Sequence, residues 1–351
     1  MKNNIKIDHH EIGHSKPAFL IAEAGVNHNG DIDMAKKLIH KAKQSGADCI
    51  KFQTFKAERV VTQNAPKANY QLHVTDPQES QLDMLKKLEL PENVYAELIE
   101  KCESEELVFT STPYNEEDID FLVALNVPVL KSASIHIAEP RFLQRMAETG
   151  KPMIVSTGMA TWQELESAVA AIRSTGNEQF VLLQCTTNYP SLIEDTNLRA
   201  MVAMEQRFNC LTGYSDHTQS HTPCLGAIAL GACIIEKHFT LDKNLDGPDH
   251  STSETPEGFA SLVRKIRELE AALGSSNKSP TKAEIANMSG MRRSIAARRE
   301  LPAGHTIGDE DLTAMRPSSG IPPGQWNQLI GKTLTRSITV GEFLSWADLD
   351  D

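Results

Sequence analysis

Between Ala18 and Lys237, short apolar runs alternate with longer amphipathic ones. The apolar runs are Ala18–Ala24, Cys49–Gln53, Val108–Ser111, Val129–Lys131, Met153–Ser156, Phe180–Gln184, Thr212–Ser215 and Ile234–Lys237. Each is short and continuous, the pattern of a strand covered on both faces. The segments between them carry helical spacing. Met34–Gln44 places Met34, Leu38 and Ile39 on one side, and Pro91–Glu105 opens on proline and does the same with Val94, Leu98 and Ile99. Thr161–Arg173 starts at Thr161 with Glu164 three positions on, a capping box. Eight strand–helix units in about 250 residues predict a (β/α)8 TIM barrel. A doubly wound open sheet would show a glycine-rich phosphate turn after its first strand. The residues there, Glu23-Ala24-Gly25-Val26-Asn27-His28, do not supply one.

Past Leu273 the alternation stops. Gly274-Ser275-Ser276-Asn277-Lys278-Ser279-Pro280 has linker composition. The chain therefore divides into a barrel over residues 1–273, a linker over 274–290 and a small β-rich domain over 291–351. In that last stretch, short β-type runs at Ser294–Ala297 and Leu334–Ile338 alternate with turns at Pro302-Ala303-Gly304 and Ile321-Pro322-Pro323-Gly324. So small a domain buries only a modest core by itself. No internal repeat is expected beyond the strand–helix alternation.

The chemistry concentrates where the strands end. The ends carry Glu23, Lys51-Phe52-Gln53, Thr110-Ser111-Thr112-Pro113, Lys131-Ser132-Ala133-Ser134, Ser156-Thr157-Gly158, Gln184-Cys185-Thr186-Thr187, Ser215-Asp216-His217 and Glu236-Lys237-His238. In a barrel these ends converge on one mouth, where barrel active sites lie. Any strand tolerates a polar terminus, but eight with such chemistry point to a site. Lys51 and Lys131, with Thr112, Ser134, Ser156 and Ser215, offer cations and hydroxyls to a phosphate or carboxylate. A buried lysine without an anion is costly, so each needs a bound anion or a local carboxylate such as Glu23 or Glu236. His217 and His238 end adjacent strands, about 4.8 Å apart, so their imidazoles can share one metal ion and leave positions open for catalysis.

Charge and composition narrow the partners. The net charge of −12 argues against nucleic acid or an anionic membrane surface as a partner. No apolar run has the ~18–20 residues that cross a membrane, and MKNNIKIDHH lacks the apolar core of a secretory signal. The six cysteines are scattered without a CxxC pair and read as buried thiols of a cytoplasmic protein.

These segments resemble the sialic acid synthase (N-acetylneuraminate synthase) family. The resemblance runs through Ile21-Ala22-Glu23-Ala24-Gly25-Val26-Asn27-His28-Asn29-Gly30, Lys51-Phe52-Gln53, Ser111-Thr112-Pro113-Tyr114 and Ser156-Thr157-Gly158-Met159. It continues through Gln184-Cys185-Thr186-Thr187-Asn188-Tyr189-Pro190, Gly213-Tyr214-Ser215-Asp216-His217, Ile235-Glu236-Lys237-His238-Phe239-Thr240-Leu241-Asp242 and Gly247-Pro248-Asp249-His250. In the tail, Arg292-Arg293-Ser294, Leu301-Pro302-Ala303-Gly304 and Met315-Arg316-Pro317 are similar to the antifreeze-like (SAF) domain of the same enzymes. The resemblance implies a transferase that condenses phosphoenolpyruvate with the open-chain aldehyde of N-acetylmannosamine or a related amino sugar. Water adds, phosphate leaves, and a nine-carbon 2-keto-3-deoxy acid results.

It also implies roles. His217 and His238 would hold Mn2+ or Mg2+. Lys51, Gln53, Thr112, Lys131, Ser134, Ser156 and Ser215 would hold phosphoenolpyruvate, with Thr187 standing where the family has a phosphate-side asparagine. Glu23 would position or deprotonate the attacking water. Tyr189 and Asp249 would contact the acceptor sugar, and Asn69 matches the family's loop asparagine. Arg316 would reach the sugar's N-acyl group from the partner subunit of a domain-swapped homodimer. Some members carry a sugar-binding glutamate two positions after the serine that Ser134 matches; here that position is His136. The departure points toward the bacillosamine-derived sugars that lead to legionaminic or pseudaminic acid. Two readings from other classes compete: a metal-free Schiff-base aldolase using Lys131 or Lys237, and a non-enzymatic sugar-binding protein.

Overall fold

The computed structural model describes residues 4–68, 71–72, 75–76 and 78–350. The predicted site residue Asn69 lies outside them. A two-residue turn with Asp8 at φ 52° joins strands β1 (Ile5–Ile7) and β2 (His10–Ile12) in an antiparallel hairpin. Eight parallel strands follow: β3 (Phe19–Gly25), β4 (Cys49–Thr54), β5 (Val108–Pro113), β6 (Leu130–Ser132), β7 (Met153–Ser156), β8 (Phe180–Cys185), β9 (Leu211–Asp216) and β10 (Ile234–His238). Ladders join them in the order β5-β4-β3-β10-β9-β8-β7-β6. Across the remaining seam, the Thr110 hydroxyl donates to the Val129 carbonyl at 2.9 Å. The result is the eight-stranded barrel that the alternation predicts, with strand limits shifted by one or two residues.

Inward-facing positions recur every second residue, and their character changes along each strand. At the N-terminal end Ile21, Cys49, Val108, Val129, Ile154, Leu183, Leu211 and Ile234 form one buried apolar cluster. Ile5, Ile7 and Ile12 of the hairpin join that cluster and plug this end of the barrel. Two positions further along, the same faces carry Glu23, Lys51, Thr110, Lys131, Ser156, Cys185, Gly213 and Glu236. The outward residues, including Phe52, Phe109, Leu130, Val155 and Leu182, pack into the strand–helix layer. Thr161 caps the helix Trp162–Ser174 reciprocally with Glu164, as its capping box predicts. The run from Pro91 begins as a 3-10 turn, Glu92–Val94, before the helix Tyr95–Ser104.

The chain forms two units, Met1–Gly274 and Ser275–Asp351. Part of the segment read as linker is a helix, Lys282–Met291, capped by Thr281 and Glu284. None of its residues is buried, so no apolar stripe announced it. In the second unit β11 (Ser294–Ala297) pairs antiparallel with β12 (Leu312–Met315) around a core that includes Ile295, Ile307, Leu312 and Leu334. The run Leu334–Ile338 is not a strand; Leu334 and Ile338 each make a single bridge.

This unit also corrects the expectation of no further repeat. Arg299, Leu301, Gly304, Ile307, Asp311 and Leu312 recur at the same spacings as Arg336, Ile338, Gly341, Leu344, Asp348 and Leu349. The structure repeats too. Arg299 Nε reaches Asp311 Oδ1 at 2.7 Å and Arg336 Nε reaches Asp348 Oδ1 at 2.6 Å. Gly304 and Gly341 both turn at left-handed φ, 78° and 80°, where a side chain would strain the backbone. Each half contributes too few apolar residues for the period to show in hydropathy, so the polar ties carry it.

Those ties make a testable pH dependence. Burial alone would raise the Asp311 carboxyl, but the Gly308 N–H, His305 and Arg299 outweigh it and hold it at about 2. A carboxylate depressed below its unfolded value near ~3.8 stabilises the fold above that value. The contribution is lost as pH falls from ~3.8 toward ~2. We expect Asp311→Asn to flatten the thermal-unfolding curve of this unit over that window and to lower its melting temperature at pH 7. An unchanged pH profile would show that Asp311 contributes nothing.

Candidate active site

The C-terminal strand ends surround a cavity of about 420 Å³. Glu23, Lys51, Gln53, Thr112, Lys131, Ser134, Ser156, Thr187, Tyr189, Ser215, His217, His238 and Asp249 all line it. Arg316 lies in the second unit, exposed, directly after β12.

Two lysines and two glutamates form its floor. Lys51 Nζ is 2.8 Å from Glu23 Oε1 and 4.0 Å from Glu236 Oε1, and donates to Thr112 Oγ1 at 3.2 Å. Lys131 Nζ is 3.5 Å from Glu236 Oε1 and donates to Ser156 Oγ at 2.7 Å and the Ser132 carbonyl at 3.1 Å. Burial disfavours both ammonium ions. At Lys51, Glu23 and Glu236 outweigh that and the pKa rises; at Lys131 burial wins and it falls. Burial pushes the Glu23 carboxyl up to about 7 against the pull of Lys51. One oxygen each of Glu23 and Glu236 is buried without a hydrogen-bond partner. Unpaired buried acceptors of this kind call for a proton, a water or a ligand donor.

Hydroxyl groups converge around this floor. Ser215 Oγ donates to Glu236 Oε1 at 2.9 Å, and Tyr114 Oη donates to Gln53 Oε1 at 3.1 Å. The Gly158 N–H donates to Ser134 Oγ at 3.1 Å. A Cβ on Gly158 would lie 2.2 Å from Thr187 Oγ1 and 2.8 Å from Ser134 Oγ. Glycine is required here because these hydroxyls approach the backbone so closely.

His217 and His238 stand side by side, their ring centroids 5.3 Å apart. Tyr189 lies against both, at 4.2 Å and 5.5 Å. His217 Nδ1 is 2.7 Å from the Thr186 carbonyl. A carbonyl only accepts, so Nδ1 carries the hydrogen and Nε2 keeps its lone pair for an ion. His238 Nδ1 is buried without a hydrogen-bond partner; Asp249 Oδ2 stands 3.9 Å away. Burial raises the Asp249 carboxyl to about 6. Among the described residues no group of three or more His, Cys, Asp or Glu side chains comes together to hold an ion. Two imidazoles with an orphaned nitrogen fit an open divalent-metal site rather than a closed structural one.

Several members were not anticipated. Glu236, expected only as a possible partner for a lysine, shares the inward face of β10 with His238 and reaches Lys131, Lys51 and Ser215. Tyr114, Cys185, Ile135 and Met159 also line the cavity, as do Val60, Val61, Leu85 and Leu88 from the connection after β4. His136 does not face the cavity. It is buried behind the wall, stacked on Phe142 at 4.1 Å, and burial lowers its pKa to about 4. Lys237 points out of the barrel and is tied to Asp216 at 2.6 Å, which removes it as a Schiff-base candidate.

A barrel mouth with two cations, converging hydroxyls and paired histidines defines a barrel enzyme acting on an anionic substrate. The chain matches the NeuB family over residues 38–278 and the SAF domain over residues 292–350. It is 42% identical to the N,N'-diacetyllegionaminic acid synthase of Legionella pneumophila over 342 residues, covering 96% of each chain. Identity to the pseudaminic acid synthase of Campylobacter jejuni is 33% over 334 residues, covering 95% of this chain and 97% of that one. The crystal structure of the sialic acid synthetase of Leptospira borgpetersenii in complex with citrate superposes with a TM-score of 0.74. Identity there is 31%, covering 82% of this chain and 95% of that one. The chain belongs to the NeuB family. It is a phosphoenolpyruvate-dependent sugar-condensing enzyme of the sialic acid synthase type, a transferase. No described helix is long and apolar enough to cross a membrane.

Proposed function

We propose that this enzyme condenses phosphoenolpyruvate with a diacetamido sugar, giving a legionaminic acid-type 2-keto-3-deoxy acid and phosphate. The observation that carries the choice of sugar is the cavity's upper wall. His136, at the position where some family members carry a sugar-binding glutamate, is turned away from the cavity, and the exposed Ile135 and Met159 line it together with Val60, Leu85 and Leu88. An apolar rim receives N-acyl methyl groups better than a row of hydroxyls. The 42% identity to a diacetyllegionaminic acid synthase, against 33% to a pseudaminic acid synthase, supports the same choice.

In this reading the floor binds the enol phosphate through Lys51, Lys131 and the hydroxyls of Thr112, Ser134, Ser156, Thr187 and Ser215. Carbon 3 of the enolpyruvate bonds to the aldehyde carbon and water adds at carbon 2. The proton that water gives up ends on the former aldehyde oxygen as the new hydroxyl, and the bond from carbon 2 to the phosphate oxygen breaks to release phosphate and leave the ketone. Glu23, with a pKa near neutrality, takes the proton from that water. Gln53, against Glu23 on the floor, joins the groups that hold the enol phosphate, and Tyr189 and Asp249 orient the sugar. A divalent ion held by His217 and His238 would supply Lewis acidity toward the aldehyde oxygen.

Phosphate release, measured with a panel of acceptors, tests the assignment. One well-placed methyl contact is worth about 10–200-fold in kcat/KM. We expect the diacetamido sugar to exceed N-acetylmannosamine by at least about tenfold. Equal or reversed preference would overturn the diacetamido assignment.

A further inference from the structure

Side chains that point outward from the barrel strands are mostly apolar, as Tyr214 on β9 and Ile235 on β10 illustrate. Asp216 and Lys237, the next outward positions on those two strands, break the pattern. They are register partners on neighbouring strands, and their charged ends meet at 2.6 Å in a buried site. Asp216 immediately precedes His217, and Lys237 immediately precedes His238.

Their hydrogen bonds converge on the chain around His217. Asp216 Oδ1 accepts from the Thr218 N–H at 2.9 Å and from the Tyr214 hydroxyl at 3.1 Å. Asp216 Oδ2 accepts from Lys237 and from the Cys224 thiol at 3.1 Å. Lys237 Nζ also donates to the Thr218 carbonyl at 2.7 Å. Both main-chain groups of Thr218 are thus bound to this pair. His217 is held between two residues that are each tied to Lys237, whose own main chain continues into His238.

We propose that the Asp216–Lys237 pair is a positioning device for the two histidines, fixing the separation at which they hold a divalent ion. The proposal rests on the metal reading of His217 and His238. Stability alone gives a poor account of the pair, because apolar residues of similar volume often serve a buried position as well or better. What an apolar pair cannot do is bind both the N–H and the carbonyl of Thr218. Partners behind metal-ligating histidines orient the ligands, and their loss typically weakens metal binding by about 10–100-fold.

The test uses the full chain and Mn2+ alone, with affinity read by titration calorimetry and folding by thermal melting. The double variant Asp216→Leu/Lys237→Met is expected to melt below wild type, because Thr218 loses both main-chain partners, and, while folded, to bind Mn2+ about 10–100-fold more weakly. A folded double variant with wild-type affinity overturns the proposal. If the double variant does not fold, Asp216→Asn takes its place. Its amide oxygen keeps the Thr218 N–H, but its NH2 group cannot accept from Lys237, so the direct link between the two strands breaks and a smaller weakening is expected; unchanged affinity again overturns the proposal. Tyr214→Phe removes one donor and leaves both ties to Thr218, so it is expected to bind as wild type. An equal loss there would reveal general loosening and also overturn the assignment. Wild-type protein that binds no Mn2+ removes the metal reading and the proposal together. Wild-type protein that binds, with variants that bind equally well, removes only the role of the pair.

Discussion

His217→Ala and His238→Ala are each expected to abolish condensation in a protein that remains folded. Both imidazoles lie at the cavity surface on strand ends whose backbone ladders and buried neighbours do not depend on them. Neither ring contributes to the apolar clusters that hold the barrel together. A metal acting as a Lewis acid supplies several kcal/mol of transition-state stabilisation. On the metal reading, losing one of the two proposed ligands is therefore expected to cost about 10³-fold or more in turnover. The two variants should differ in stability. His217 gives up its hydrogen bond to the Thr186 carbonyl, whereas His238 Nδ1 has no partner to lose. His217→Ala should therefore melt at the lower temperature. Phosphate release, metal content after gel filtration and circular dichroism would be measured on the same preparations. Chelation of the wild type should reproduce the loss and added Mn2+ reverse it. Full turnover in metal-free wild-type enzyme would end the metal reading.

Where the site lies was legible because inward-facing barrel positions are forced into a period of two. Each strand must be apolar at the plugged end and has freedom only at the other. A polar residue at a strand's C-terminal end is therefore a deliberate exception, and reading those exceptions located the cavity. Glu236, two residues before His238 on one inward face, obeys the same rule: its place among the strand ends was legible, whereas its contacts with both lysines and Ser215 emerge only in the closed barrel. His136 misled because the 3-10 turn Ser134–Ala138 sends successive side chains to different sides, so counting from Ser134 could not say which one faces the cavity. Ile135 does. Val60, Val61, Leu85 and Leu88, which also line the cavity, carry no strand-end signal, because they belong to the connection after β4 rather than to a strand. The hairpin plug escaped because three-residue strands are too short to show alternation. In the second unit, ion pairs rather than hydropathy carry the repeat, and ion pairs between residues twelve apart are invisible to a periodicity search.

The second large effect is expected at Lys131. Its ammonium is fully enclosed, and it stands between Ser156 and Glu236 on the floor of the cavity. Lys131→Met keeps the aliphatic volume and removes the charge. Two consequences follow, and they separate. Glu236 loses its nearer cation and keeps only Lys51 at 4.0 Å. Breaking a buried pair from one side destabilises by about 3–5 kcal/mol, so the melting temperature should fall. The substrate anion loses a charge-assisted contact worth about 1.5–3 kcal/mol, so the Michaelis constant for phosphoenolpyruvate should rise about 10–100-fold. The acceptor-sugar constant should barely move, because the sugar is assigned to the opposite side near Tyr189 and Asp249. Adding Glu236→Gln to Lys131→Met distinguishes the two effects. The amide removes the unpaired charge and still accepts from Ser215, so stability should recover. Affinity for phosphoenolpyruvate should recover only in part, since repulsion from Glu236 is relieved while the missing cation is not restored. A rise confined to the sugar constant would mean that the floor binds the sugar, and the two substrates would have to exchange places in the cavity.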